Sequence, residues 1–251
     1  MVREETVFGP IKSRRLGNSL GINLLPVNGK ICTFDCIYCE CGWNRDGLGD
    51  TRLPKAWEVH EALESKLKLM REEGTPVDSF TFSGDGESTI HPDFPQIIDD
   101  VMALRDCYFP SAKVSVLSNA TQVHRPEIFA ALRKVDNPIM KIDAPTNALV
   151  EKINHPAPGY DVNRVIEALK AFKGDFVLQT MFLRSSDFDS SSSEVLEGWM
   201  DIVRQLRPRE VMVYSIDRPT PEEGLYRFRA DELSALVEPL VREGFNVQVR
   251  G

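Results

Sequence analysis

Short apolar runs alternate with amphipathic stretches along most of this chain, and that rhythm limits the available folds more than any other feature. Residues 20–25, 79–82, 113–117, 138–142, 176–182, 211–214 and 245–249 read as strands. Helical spacing occupies 55–73, the stretch from just after Pro92 to about Arg105, 126–134, 161–173, 194–206 and 231–243. Pro54 precedes the first helix, Gly74 ends it, and Trp57, Leu63, Leu67 and Met70 form its expected apolar stripe. In 161–173 the buried face is Val162, Val165, Ile166 and Leu169. At least six strand–helix alternations predict an α/β fold with a parallel sheet, which either a doubly wound sheet or a barrel satisfies. The expected organisation is a single domain over 1–251, with residues 1–20 as an N-terminal extension and 185–193 as a serine-rich loop, a flexible connection or a lid.

A hydrophobic content of 42% over 251 residues is ample for a packed core. No apolar run approaches bilayer length, and the opening Met-Val-Arg-Glu-Glu has no apolar signal region, so a soluble cytoplasmic protein with no membrane partner is expected. A formal charge of −8 disfavours general phosphate-driven nucleic-acid binding, although Lys12, Arg14 and Arg15 form a local basic patch.

Three of the five cysteines, Cys32, Cys36 and Cys39, fall in one short segment with C-x3-C-x2-C spacing, and Tyr38 precedes the last. Thiolates are soft ligands suited to iron–sulfur clusters, and three of them leave one iron of a four-iron cluster open for chemistry. A disulfide framework fits poorly in a large, cysteine-poor chain. A structural zinc site would need Cys41 as its fourth ligand, with all four in one loop and no second knuckle. Cys107, flanked by apolar and aromatic residues, is expected to be buried and inert.

The other chemistry-bearing residues sit just after strands. In Ser83-Gly84-Asp85-Gly86-Glu87 the glycines allow close backbone approach to a ligand, and a following carboxylate can hold an ammonium group. Thr89 stands where a dinucleotide fingerprint would have its third glycine. Ser118 and Asn119 are either a helix start or a ligand contact, and Asp143 is either a helix N-cap or a ligand contact. Gln179, within the fifth strand, is a lesser candidate of the same kind. His155 reads as a turn residue, and Asp217 with Arg218 as an ion pair that closes the barrel or as a substrate contact. The four histidines lack zinc-protease spacing, and no Walker or Gly-x-Ser-x-Gly motif occurs.

The cysteine spacing with its aromatic resembles the radical S-adenosylmethionine (radical SAM) superfamily. Phe8-Gly9-Pro10, Ser13 to Gly17, Leu20-Gly21, Ser83 to Glu87, the Asp143-to-Pro156 block and Asp217-Arg218-Pro219 are similar to its demethylwyosine synthase-like group. The resemblance implies a partial (β/α)6 TIM-like barrel with the cysteine loop after the first strand. It implies a [4Fe–4S] cluster on Cys32, Cys36 and Cys39, and SAM as cofactor. Glu87 or Asp85 would meet the SAM amino group beside Gly84 and Gly86, and Tyr38 would pack near the adenine. Ser118, Asn119, Asp143 and Gln179 would serve as further contacts. The implied reaction is reductive cleavage of SAM to a 5′-deoxyadenosyl radical that abstracts hydrogen, fed by an electron donor such as flavodoxin or ferredoxin. A tRNA base or nucleoside, a peptide or enzyme to be activated, and a non-enzymatic cluster- or zinc-binding module are the three readings of its purpose. Demethylwyosine synthases hold a second cluster on cysteines upstream of this motif; no cysteine precedes Cys32, so one cluster is expected here.

Overall fold

The computed structural model describes residues 5–13, 16–27, 29–47 and 51–250; Arg14 and Arg15 of the basic patch lie outside them. The chain divides into two compact units, Met1–Cys32 with Asn44–Ser118 and Arg125–Pro138, and Thr33–Trp43 with Asn119–His124 and Ile139–Gly251.

In the first unit, β1 (Val7–Ser13) pairs antiparallel with β2 (Gly17–Ile22), and β3 (Ser79–Phe82) and β4 (Lys113–Ser118) follow in parallel. Part of the expected N-terminal extension is therefore a strand. The register puts Leu20, Phe80 and Val114 in one row and Ile22, Phe82 and Val116 in the next, all fully buried. These rows cover one face of the sheet, because successive side chains alternate. Helices α1 (Ala56–Glu72), α2 (Phe94–Tyr108) and α3 (Pro126–Leu132) complete the unit, and Phe82 meets Phe94 of α2 edge-on at 6.1 Å.

The opposite face carries hydroxyls. Ser19 Oγ lies 2.6 Å from Thr81 Oγ1, and Ser79 Oγ reaches Thr81 and Ser115 at 3.2 and 3.4 Å. Each buried hydroxyl thus has a partner, which offsets the cost of taking it from water.

Two expectations change here. The α1 stripe is Ala56, Val59, Leu63, Leu67 and Met70, while Trp57 is 57% exposed. At about 100° per residue, Trp57 sits about 120° round the helix from Leu63. Cys107 is exposed rather than buried: its neighbours Leu104 and Arg105 are buried, and it occupies the outer side of α2.

The second unit holds β5 (Asn137–Lys141, from Ile139 onward), β6 (Val177–Arg184), β7 (Glu210–Ser215) and β9 (Val247–Arg250), all parallel, with β8 (Tyr226–Arg227) antiparallel to β6. Its helices are α4 (Asn147–Asn154), α5 (Val162–Lys170), α6 (Ser193–Leu206) and α7 (Ala230–Arg242). Trp199 of α6 packs edge-on against Phe182 at 5.2 Å, and its indole N–H donates to Thr180 Oγ1 at 2.9 Å. Thr180 donates in turn to Ile142 O at 2.8 Å, so both of these buried side-chain groups have partners. No helix among the described residues is long and apolar enough to cross a membrane.

Candidate functional site

In the first unit the chain leading into Cys32 is pinned to the glycine–carboxylate segment that follows β3. Ile31 N–H donates to Asp85 O at 3.1 Å, and Glu87 N–H donates to Ile31 O at 3.1 Å, closing an Ile31–Gly86 bridge. The two glycines serve that packing. A Cβ on Gly84 would stand 2.0 Å from Asn23 Oδ1, and one on Gly86 would stand 1.9 Å from Ile31 O, where φ is also +139°. On the Cβ side of both glycines the space is filled by this chain's own atoms. Gly86→Ala is therefore expected to destabilise the protein by about 2 kcal/mol or more, through overpacking and strain, checked by urea denaturation. Because the bridge abuts Cys32, the same variant should also lower iron retention on reconstitution.

The carboxylates of this segment differ. Asp85 is fully buried and accepts from Asn23 Nδ2 at 3.3 Å. Glu87 Oε1 accepts from Thr89 N, Thr89 Oγ1 and Ser118 Oγ at 3.2, 2.5 and 2.9 Å. Two residues singled out from sequence, Glu87 and Ser118, thus meet, and Thr89 fixes the carboxylate's orientation.

In the second unit, Cys36, Tyr38 and Cys39 lie on a loop moulded to the C-terminal end of α4. Asp35 N–H donates to Asn154 O at 2.8 Å, and Ile37 N–H donates to Ile153 O at 3.0 Å. These carbonyls are among the last of the helix, which have no partner within it. His155 follows in the left-handed region (φ 39°) and stacks on Trp43, with ring centroids 6.0 Å apart, so it is the turn residue expected from the sequence. Asn119 belongs to the same loop system. Its Nδ2 donates to Thr33 Oγ1 at 2.8 Å, and its Oδ1 accepts from Thr121 N and Oγ1 at 3.1 and 2.8 Å. It caps no helix, since α3 begins at Pro126 with Arg125 at the cap.

Asp143 is the hub beneath Cys36. It is 3% exposed, and Oδ1 accepts from Met181 N–H at 2.9 Å. Oδ2 accepts from Tyr38 Oη, and from Asn154 Nδ2 at 2.8 Å. It is not the N-cap of α4, a role taken by Thr146. Lys141 Nζ donates to Tyr38 Oη at 3.1 Å and lies 4.8 and 5.7 Å from the ring centroids of Tyr38 and Tyr214. Burial works against the Lys141 charge, but Tyr214, Asp143 and Cys36 outweigh it and hold the amine protonated, its pKa raised. Burial likewise pushes the Tyr38 phenol up, reinforced by Asp143 and Cys36. The Cys36 thiol is pushed up to about 11, chiefly by burial, with Lys141 and the Asn154 hydrogen bond pulling the other way.

The side chain of Gln179 is buried in β6, in register with Lys141, so the two face the same side of the sheet. The expected Asp217–Arg218 pair is not made. Arg218 instead meets Glu40 at 2.7 Å and Asp217 meets Arg227 at 3.4 Å, because adjacent side chains on an extended segment diverge. A cleft of about 600 Å³ opens beside the loop, lined by Thr33, Thr121, His124, Tyr160, Arg164 and Glu167 among others.

The donor set suits a four-iron cluster. None of the three cysteines is in a disulfide, and the motif offers soft sulfur and no fourth ligand of another kind. An amide donor, Asn154 Nδ2, stands 3.3 Å from Cys36 Sγ. Within neither unit do three His, Cys, Asp or Glu side chains among the described residues stand close enough to hold a single metal ion. Asn154 lies in the Asp143-to-Pro156 block, but the roles of Asn154, Lys141 and Tyr214 have no local signal in the sequence, since their contacts come from far along the chain.

The chain is similar to the GTPase Obg of Brachyspira hyodysenteriae, 29% identical over 92% of this chain and 33% of that protein. It is 26% identical to a UPF0026 protein of Helicobacter pylori, over 91% of this chain and 70% of the relative. Among solved structures, Streptococcus suis SuiB bound to S-adenosylmethionine matches with a TM-score of 0.64 and 16% identity, covering 89% of this chain and 49% of that one. The chain thus spans only a third to a half of two of these three proteins. The Radical SAM superfamily model matches residues 29–183. This chain belongs to the radical SAM superfamily: it is an α/β protein of the partial (β/α)6-barrel class, in a family that uses a [4Fe–4S] cluster and S-adenosylmethionine.

Proposed function

We propose that this chain is a single-domain, single-cluster radical SAM enzyme that abstracts hydrogen from a tRNA base or nucleoside. The observation that carries the radical chemistry is the cysteine loop: three cysteines outside any disulfide at C-x3-C-x2-C spacing, within the family match. Cys32, Cys36 and Cys39 hold three irons. When bound and reduced by a donor such as flavodoxin or ferredoxin, the cluster supplies one electron that splits SAM into methionine and a 5′-deoxyadenosyl radical, which becomes 5′-deoxyadenosine on taking hydrogen.

The chain's own residues bind and orient. Glu87, its Oε1 fixed by Thr89 and Ser118, offers the negative charge for the SAM ammonium group. Asp85, fully buried against Asn23, shapes the segment instead. Gly84 and Gly86 keep that segment in place, Tyr38 packs near the adenine, and Asn119 and Gln179 add polar contacts. Asp143 holds Tyr38 and Asn154 in position from beneath. The cleft volume lies within the about 300–1,000 Å³ usual for small-molecule sites, large enough for one base or nucleoside.

Anaerobic reconstitution tests both levels. With dithionite and SAM, the protein is expected to form 5′-deoxyadenosine, and none would sink the radical reading. Bulk tRNA is expected to raise that rate where peptide mixtures do not. The reverse would support a peptide-modifying or enzyme-activating role, which the net charge of −8 favours.

A further inference from the structure

Asn154 ends α4 and is 1% exposed. Its side-chain nitrogen lies 3.3 Å from Cys36 Sγ, 3.1 Å from Tyr38 Oη and 2.8 Å from Asp143 Oδ2. The two amide hydrogens are thus shared among a sulfur, a phenol oxygen and a carboxylate. Turning the amide over would set its carbonyl oxygen against the carboxylate and the sulfur, an electrostatically repulsive arrangement, so the N–H side faces Cys36.

Nothing in this arrangement is loose. Asp143 is held by Met181 N–H, and the Asn154 backbone carbonyl is held by Asp35 N–H at 2.8 Å. Cys36 is itself buried, so the amide dipole acts on the sulfur with little solvent between them to screen it.

We infer that Asn154 is a positioning residue for the cluster, donating to Cys36 Sγ and thereby raising the reduction potential of the bound cluster. The inference rests on the cysteine assignment proposed above. A donor at a ligating sulfur withdraws electron density and stabilises the reduced form, and hydrogen bonds to the sulfurs are among the levers that set cluster potential. Asn154 does this without ligating iron.

The test uses the anaerobically reconstituted full chain, with iron quantified in every sample. Asn154→Leu keeps the volume and removes the donor; Asn154→Ala removes both. An EPR-monitored redox titration is expected to show a lower midpoint in whichever of these retains a full cluster. A second measurement needs no variant to survive. Protein labelled with 15N-asparagine is expected to show 15N coupling in the pulsed EPR spectrum of the reduced cluster, lost when Asn154 is replaced. A cluster-replete Asn154→Leu protein with the wild-type midpoint overturns the inference, as does a wild-type cluster with no 15N coupling. A wild-type chain that binds no cluster brings down the cysteine assignment, and the inference with it.

Discussion

Cys36→Ala is expected to cut SAM cleavage to 5′-deoxyadenosine by more than about 100-fold, with iron per chain falling alongside. Loss of a supporting residue around a metal site costs about 10–100-fold in affinity or activity, and a direct ligand costs more. Cys36 is the most buried of the three motif cysteines. The control is Cys107→Ala, on the exposed side of α2, which is expected to leave iron content and cleavage unchanged. Iron and 5′-deoxyadenosine measured on both proteins decide the point: equal values would remove Cys36 from the cluster.

The second large effect falls on stability. Asp143→Ala removes the acceptor for Met181 N–H, for Tyr38 and for Asn154, and strips Lys141 of a nearby anion. Leaving a buried donor without its acceptor costs about 1–3 kcal/mol. With Met181 N–H, Tyr38 and Asn154 affected together, the loss is expected to be about 3 kcal/mol. At about 2–4 °C per kcal/mol for a chain of this size, the melting temperature should fall on the order of 10 °C. Asp143→Asn keeps the shape and one acceptor oxygen and should lose less. Equal melting temperatures for wild type and Asp143→Ala would show that the hub holds nothing.

The sequence made the parallel-strand rhythm plain because buried strands announce themselves as short apolar runs: 79–82 coincides with β3, and 113–117 and 138–142 fall within a residue of β4 and β5. It hid β1, whose Gly9-Pro10 reads as a turn, and α4, which at eight residues is too short for its periodicity to stand out. Trp57 misled because hydrophobicity was counted without its phase on the helix. At the candidate site, Cys32, Cys36, Cys39 and Glu87 stand out in the sequence because their types and spacing are local. Asn154 was not, because its meaning lies in contacts to Cys36 and Tyr38 more than a hundred residues away in sequence. The glycines were noticed for a ligand's sake, when their immediate neighbours are Asn23 and Ile31.

The docking of Asp35 and Ile37 on the last carbonyls of α4 sets an order of events during synthesis. The three thiols leave the ribosome long before Asn154 does. Until α4 has formed, Asp35 and Ile37 have no helix end to bind, and the loop has nothing to hold its curvature. Iron delivered to the nascent chain would meet three unorganised sulfurs, open to any soft metal present. Iron delivered after the helix has closed on the loop meets a preformed grip. Firm cluster binding is thereby expected only once α4 has emerged and closed on the loop, during synthesis or after it.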